Sequence, residues 1–186
     1  MDELIAALRA GRPALFPTDT VYGLVSLPTE QAVAALYALK GRRSEQPTGL
    51  VAASLEQLLA AIPELDPSRL VGGPYTLVLS NPARRFPWLT GGRPDTIAVR
   101  LPALTPAAEA VLEAVGCIAA TSANDPGGPD PRTLADIPER LRDACPSLDA
   151  GPLGGLPSTV VDLTGAKPVV LREGAVPAAE AIARLQ

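Results

Sequence analysis

The chain has 186 residues, which suits one domain with a sizeable core, and its 47% hydrophobic and 19% charged residues exclude a wholly disordered protein. The formal net charge of −4 argues against a strong non-specific grip on nucleic acid. Histidine is absent, which excludes a serine or cysteine nucleophile paired with an imidazole, and also a zinc site built on histidine.

The hydrophobic pattern predicts helices and strands that alternate along the chain. Helices are predicted over residues 2–10, 30–40, a short segment from Ser54, 106–115, 133–142 and 177–185. Strands are predicted over 14–16, 49–53, 75–80, 96–101, 117–121, 158–163 and 168–172. Proline, glycine and polar residues predict loops at 17–20, 125–132 and 150–157. We therefore expect one α/β domain over residues 1–186, with a twisted, mixed parallel and antiparallel sheet and flanking helices.

The two cysteines, Cys117 and Cys145, are far apart and form no CxxC motif. We interpret them as buried, small apolar residues, because a disulfide or a metal site would need a partner in a suitable pattern. Few cysteines, no signal-peptide pattern and no run of ~18 apolar residues predict a cytoplasmic protein without a membrane partner.

Polar clusters lie beside several predicted strands, which is where α/β sheets usually bind ligands. They are Thr18-Asp19-Thr20, Lys40-Gly41-Arg42-Arg43, Thr121-Ser122-Ala123-Asn124, Ser158-Thr159, Arg100 and Arg172. Ordinary structural roles also fit them: a turn that bonds its own backbone, a cationic helix C-cap, and an N-cap or Asx turn. In a functional interpretation, Lys40 and Arg42 clamp a phosphate.

If the segment from Thr121 to Asn124 is extended, the side chains of Ser122 and Asn124 project to the same side. Arg100, inside an apolar strand, lies either at an exposed edge or opposite an anion. There is no glycine-rich phosphate loop and no carboxylate cage, so a nucleotide would be held by dispersed side chains and Mg²⁺ would arrive with the phosphates.

The clusters belong to a longer ordered set of segments. The set is PTDTVYGL from residue 17, Lys40-x-Arg42, GPYTLVL from residue 73, AVRLP from residue 98, Ser122-Ala123-Asn124, STVVDL from residue 158, and Leu171-Arg172-x-Gly174. Over roughly residues 12–175 the chain resembles the YrdC/Sua5 family, the threonylcarbamoyl-AMP synthases. It resembles the short form, without the additional C-terminal domain of the long form.

The resemblance implies a reaction of L-threonine, bicarbonate and ATP, which gives threonylcarbamoyl-AMP and pyrophosphate for t6A37 modification of tRNA. It also implies a concave electropositive groove, Mg²⁺ carried with the phosphates, and tRNA, double-stranded RNA and other proteins of the t6A pathway as further partners. Catalytic roles are implied for Lys40, Arg42, Ser122 and Asn124. Threonine binding is implied for Thr20, Arg100, Ser122 and Ser158, and ATP binding for Lys40, Arg42, Gln46, Thr96, Asn124 and Arg172.

Two other functions compete with the synthase. The first is an RNA-binding paralogue whose groove grips double-stranded RNA or tRNA without adenylate chemistry, although the acidic balance speaks against it. The second is a homologue of the related domain of the hydrogenase-maturation carbamoyltransferase, which normally sits in a much longer chain.

Overall fold

An eight-stranded mixed sheet organises the computed structural model, which describes residues 1–185. The strands are β1 (Ala14–Pro17), β2 (Tyr22–Ser26), β3 (Gly49–Val51), β4 (Tyr75–Ser80), β5 (Thr96–Arg100), β6 (Ile118–Ser122), β7 (Thr159–Asp162) and β8 (Val169–Arg172). Their spatial order is β1-β2-β6-β3-β5-β4-β7-β8. The pairs β3–β5 and β4–β7 are parallel and the other neighbours antiparallel, which confirms the mixed sheet.

Six α-helices flank the sheet within these residues: α1 (Asp2–Arg9), α2 (Glu30–Lys40), α3 (Leu55–Ala61), α4 (Pro106–Val115), α5 (Glu139–Ala144) and α6 (Ala178–Leu185). The hydroxyl oxygens of Thr29, Ser54 and Thr105 cap α2, α3 and α4, because each accepts a backbone N–H from the first turn. Helix α2 ends at Gly41, which adopts the left-handed conformation at φ 68° and ψ 32°.

The secondary structure differs from the sequence prediction at two places. Residues 22–26 form strand β2, which the sequence did not indicate because the strand is buried on both faces and lacks an alternating pattern. The single helix expected over residues 133–142 is a 3-10 turn, Leu134–Asp136, followed by α5. Pro138 separates them, because it has no N–H to continue a helical ladder and its ψ of 134° is extended.

Helices cover the two faces of the sheet unequally. On one face, Leu8 of α1 and Leu112 of α4 pack with Phe16, Val25 and Ile118, near the β1 end of the sheet. The opposite face packs against α2, α3, α5 and α6. Among residues 1–185, the first face therefore has no helical cover over its other half, and this is where the candidate site lies.

Both cysteines are buried and free, as predicted. Burial raises the pKa of each thiol to about 11, so neither is a ready nucleophile at neutral pH. Over residues 1–185, no helix combines the length and apolar character needed to cross a membrane.

Candidate active site

A cavity of about 600 Å³ opens over the uncovered half of the sheet. Strand β5 shows how the sheet builds it. Thr96, Ala98 and Arg100 line the cavity, whereas Ile97 and Val99 point into the core on the other face. Thr96 and Arg100 therefore share a strand face.

Small residues leave the space that the cavity occupies. Gly23 of β2, Gly49 of β3 and Ala120 of β6 all line it. A methyl group on Gly23 would lie 3.3 Å from the carbonyl oxygen of Thr121, which is tighter than an ordinary contact. Larger side chains at these positions would fill the cavity from its floor.

The cavity lining combines cations with hydroxyl groups. Arg42, Arg93, Arg100 and Arg172 line it, as do the two carboxylate residues Glu45 and Asp130. The hydroxyl residues of the lining are Thr18, Thr48, Thr76, Thr90, Thr96, Thr121, Ser122 and Ser158. Guanidinium and hydroxyl donors together suit a ligand that carries phosphate or carboxylate groups.

Arg100 is held at the cavity wall by the loop that follows β1. Its Nη2 forms an ion pair with Oδ1 of Asp19 and donates to Oγ1 of Thr20 at 2.7 Å. The other Asp19 oxygen accepts the backbone N–H of Ala103 at 3.2 Å. Of the two predicted environments for Arg100, the structure therefore shows an anionic partner. Thr18, which precedes Asp19, forms the predicted turn at the end of β1, because its hydroxyl donates to the carbonyl of Val21 at 2.7 Å.

Two arginines at the cavity remain incompletely satisfied by the protein. Within the described residues, Nε of Arg42 and Nε of Arg100 are buried without a hydrogen-bond acceptor. Arg42 also donates from Nη2 to the carbonyl of Pro47 at 2.6 Å. Burial lowers the pKa of both guanidinium groups, because it leaves their charge poorly solvated. A bound anion would relieve this deficit.

Lys40 lies beneath the cavity and does not line it. Lys40 is only 4% exposed. Its Nζ donates to the carbonyl of Ser122 at 2.7 Å, to Oδ1 of Asn124 at 2.6 Å and to the carbonyl of Asn124. The Ser122 hydroxyl donates to the same Asn124 Oδ1 at 2.8 Å, so the two side chains lie together as predicted. Burial and the nearby Arg42 lower the pKa of Lys40 to about 8.

Ser158 closes the site on the side of β7. Its hydroxyl lies 2.7 Å from that of Thr76, and its carbonyl accepts Nη2 of Arg172 at 2.8 Å. Strand β8, which carries Arg172, packs beside β7 at this edge of the sheet. Arg172 and Arg100 are close enough for their charges to repel, which again favours an anion between them.

Comparison with known proteins shows the relatives of this fold and site. The family model for Sua5, YciO and YrdC, described as "Telomere recombination", matches residues 6–174. The threonylcarbamoyl-AMP synthase of Halorhodospira halophila is 38% identical over 159 residues, which cover 81% of this chain and 82% of that protein.

The chain belongs to the Sua5/YciO/YrdC family.

Solved structures of the family have the same architecture. The crystal structure of Pyrococcus abyssi Sua5 complexed with L-threonine superposes with a TM-score of 0.85 at 36% identity, covering 95% of this chain and 54% of that one. This chain therefore spans about half the length of the Pyrococcus protein. Escherichia coli YciO superposes with a TM-score of 0.79 at 26% identity, covering 95% of this chain and 89% of that one.

Most residues that the family resemblance pointed to meet at the cavity. Six of them line it: Arg42, Thr96, Arg100, Ser122, Ser158 and Arg172. Thr20, Lys40 and Asn124 contact members of that set from behind. Gln46 is exposed on the loop between Glu45 and Pro47, and its side chain is not part of the lining.

Sequence reasoning assigned no role to Asp19, Thr76 or Arg93. Asp19 was part of the first polar cluster, but its partner Arg100 is 81 residues away and only the fold brings them together. Thr76 could have been found from strand alternation, because it is the polar residue between buried Tyr75 and Leu77. Arg93 lies in a turn before β5 and had no local signal.

Proposed function

We propose that this protein is a threonylcarbamoyl-AMP synthase, which joins L-threonine, bicarbonate and ATP. One observation supports this more than any other. Arg42 and Arg100, each with a buried Nε–H that has no hydrogen-bond acceptor within residues 1–185, border one cavity in a chain of this family. The relative from H. halophila is named threonylcarbamoyl-AMP synthase, and the Pyrococcus structure holds L-threonine.

The proposed reaction needs positioning more than a protein nucleophile. The amine of threonine joins the carbon of bicarbonate, water leaves, and a carbamate results. A carbamate oxygen then attacks the α-phosphorus of ATP, and pyrophosphate departs with the electrons of the broken P–O bond. Because the reacting groups all belong to the substrates, the protein must hold anions together and neutralise charge that develops in the transition state. Arginine and hydroxyl side chains do this without histidine.

The roles follow the position of each side chain. Arg42 and Arg172 would hold the phosphates and Thr96 would contact the nucleotide from the cavity floor. Arg100 and Ser158 would bind the threonine, with Thr20 orienting Arg100. We assign Gln46 no contact, because its side chain lies outside the lining.

Lys40 would act from beneath Ser122 and Asn124. Its ammonium group donates to both of these residues and would place a positive charge below the phosphates. Ser122 would then face threonine, and Asn124, which is outside the lining, would support the ATP site through its contacts with Lys40 and Ser122.

Mg²⁺ would enter with the triphosphate. Among residues 1–185, no group of three or more Cys, Asp or Glu side chains is placed to hold a metal ion. The lining carboxylates Glu45 and Asp130 could meet the outer waters of a phosphate-bound ion.

We further propose that the enzyme acts in the cytoplasm and that other proteins pass the product to tRNA.

Pyrophosphate release from ATP tests this function. We expect release to require both threonine and bicarbonate, and to fall by at least about 100-fold in Arg42→Ala and in Lys40→Ala, because each change removes a charge that the phosphates need. Arg43→Ala is the matched control, since Arg43 follows Arg42 in the chain but its side chain is 81% exposed. We expect Arg43→Ala to retain activity within about twofold.

Two results would contradict the proposal: pyrophosphate release that ignores threonine, or full activity in both Arg42→Ala and Lys40→Ala. Circular dichroism and thermal unfolding of each variant establish that it has folded. Binding of double-stranded RNA with a steep salt dependence, in the absence of pyrophosphate release, would favour the RNA-binding alternative.

A further inference from the structure

Arg140 of α5 joins two segments that carry residues of the site. Its Nη1 donates to the carbonyl of Leu39 at 2.5 Å. Its Nη2 and Nε donate to Oδ1 of Asp125 at 2.6 and 3.2 Å. Leu39 precedes Lys40 in the last turn of α2, and Asp125 follows Asn124, so each partner of Arg140 is next in sequence to a residue of the proposed machinery.

The same two segments are also connected from the inside. The Nζ of Lys40 reaches across to Oδ1 of Asn124 at 2.6 Å and to the carbonyl of Ser122. The end of α2 and the segment from Ser122 to Asp125 are therefore joined twice. Lys40 joins them on the buried side, and Arg140 joins them on the solvent side. A guanidinium group can do this because its five N–H donors are spread over a wide planar fork, so that one end reaches Leu39 while the other reaches Asp125.

The contact with Leu39 has a local reason. Carbonyl groups in the last turn of a helix lack the backbone donor that earlier carbonyls receive, and a cation near that end also complements the helix dipole. The partner loop, residues 125–132, is rich in proline and glycine and has no regular structure. Arg140 thus ties a loop with few backbone constraints to a rigid helix end.

We propose that Arg140 is a positioning residue, which holds Lys40 and Asn124 at the separation needed to bind the nucleotide; this rests on the proposed function. It does not touch the cavity, and no substrate contact is assigned to it. Its ion pair with Asp125 is half-exposed, with side chains 45% and 57% exposed, so its contribution to overall stability is small. Its effect should therefore appear in the site and not in the unfolding of the protein.

Replacement of Arg140 by methionine tests this role, with Arg85→Met as the matched control. Arg85 forms a similar exposed pair with Glu64, through Nε and Nη2 at 2.8 and 2.7 Å, and it is not part of the cavity lining. For Arg140→Met we expect kcat/KM for ATP to fall by about tenfold while the KM for threonine changes by less than about twofold. Arg140→Lys should recover only a small part, because it restores the charge without the two-way contact.

A second measurement does not depend on catalysis. The chain has two lysines, Lys40 and Lys167, so the ¹³Cε signals of labelled lysine report on Lys40 with Lys167 as an internal reference. In Arg140→Met the signal of Lys40 should shift or broaden in the free protein at about pH 6, where Lys40 is protonated with or without the nearby charge of Arg140, while that of Lys167 stays in place. Neither signal should change in Arg85→Met.

Each outcome decides the proposal. A shifted Lys40 signal together with the selective loss toward ATP supports it. An unchanged Lys40 signal overturns it whatever the kinetics, and a shifted signal with wild-type kinetics overturns the positioning role in turnover. If the wild-type protein itself shows no threonine-dependent release of pyrophosphate, the proposed function fails, and the lysine signal alone then decides whether Arg140 holds Lys40 in place.

Discussion

At the scale of single residues, the site depends on charged groups that the protein desolvates and then only partly neutralises. Lys40 is buried among three oxygen acceptors, none of which is a carboxylate. Its more distant charged neighbours are Arg42 and Arg140, which oppose its charge, and Asp125 and Asp130, which favour it. Carbonyl and amide oxygens orient an ammonium group without cancelling its charge, so Lys40 remains available to attract an anion.

The titration of Lys40 follows from this environment. Because desolvation favours the neutral amine, we expect its ¹³Cε signal to titrate with a midpoint at about pH 8 in the free protein. The unfolded chain then binds the proton more tightly, so this residue makes the free energy of unfolding rise with pH from about 8 toward 10.5.

The titration can be checked by NMR, with Lys40 assigned through its disappearance in Lys40→Arg and Lys167 through Lys167→Arg. Addition of ATP should move the midpoint upward, because the phosphates stabilise the charged form. A midpoint near 10.5 in the free protein would contradict the desolvation argument.

At the scale of elements, the loop from Gly41 to Thr48 joins the site to the end of α2. It runs from the helix to β3, and its path is fixed where it meets the turn before β5: the N–H of Thr48 donates to the carbonyl of Leu89 at 2.9 Å. Gly91 lies directly against the loop, with φ at 60°. A Cβ on Gly91 would be 2.5 Å from the carbonyl oxygen of Glu45, a distance that real Cβ atoms do not adopt.

Substitution of Gly91 should therefore displace this loop and Arg42 with it. In Gly91→Ala we expect about a tenfold loss of kcat/KM for ATP and faster tryptic cleavage after Arg42 and Arg43, from the clash and the strained left-handed backbone. Gly11→Ala is the matched control, because Gly11 has a similar left-handed φ of 74°, a Cβ there meets nothing within 4 Å among the described residues, and Gly11 is not part of the cavity lining. If the two variants have the same kcat/KM for ATP and the same rate of tryptic cleavage, the contact of Gly91 with the loop does not position Arg42.

At the scale of the whole molecule, the cavity exists because helices α1 and α4 cover only the β1 end of one sheet face. Seven of the eight strands of the described chain, β2 to β8, contribute lining residues. A ligand in this cavity touches strands that are distant in sequence, so its binding should stabilise the folded state as a unit.

Thermal unfolding measures this coupling. With ATP at about 100 times its Kd, the expected gain of about 2.7 kcal/mol corresponds to a rise in Tm of about 5–10 °C for a domain of this size. Threonine added with ATP, in the absence of bicarbonate, should raise Tm further. Arg42→Ala should lose most of the ATP effect and Arg43→Ala should keep it; a Tm that ignores ATP in the wild-type protein would argue against nucleotide binding in this cavity.

The sequence by itself determined the parts of this protein that depend on neighbours along the chain. The end of α2 at Gly41, the start of α3 at Ser54, and the alternation that puts Thr96 and Arg100 on one strand face all rest on geometry within a few residues. A fully buried strand such as β2 gives no such alternation and was missed.

Only the tertiary structure decided which of these pieces meet. The pairing of β6 between β2 and β3 places Ser122 opposite Gly23 and above Lys40, and the turn after β1 brings Asp19 to Arg100. The reason is physical: helix caps and strand faces are fixed by backbone geometry over a few residues, whereas strand order and ion pairs across 80 or more residues depend on how the whole chain buries its apolar surface.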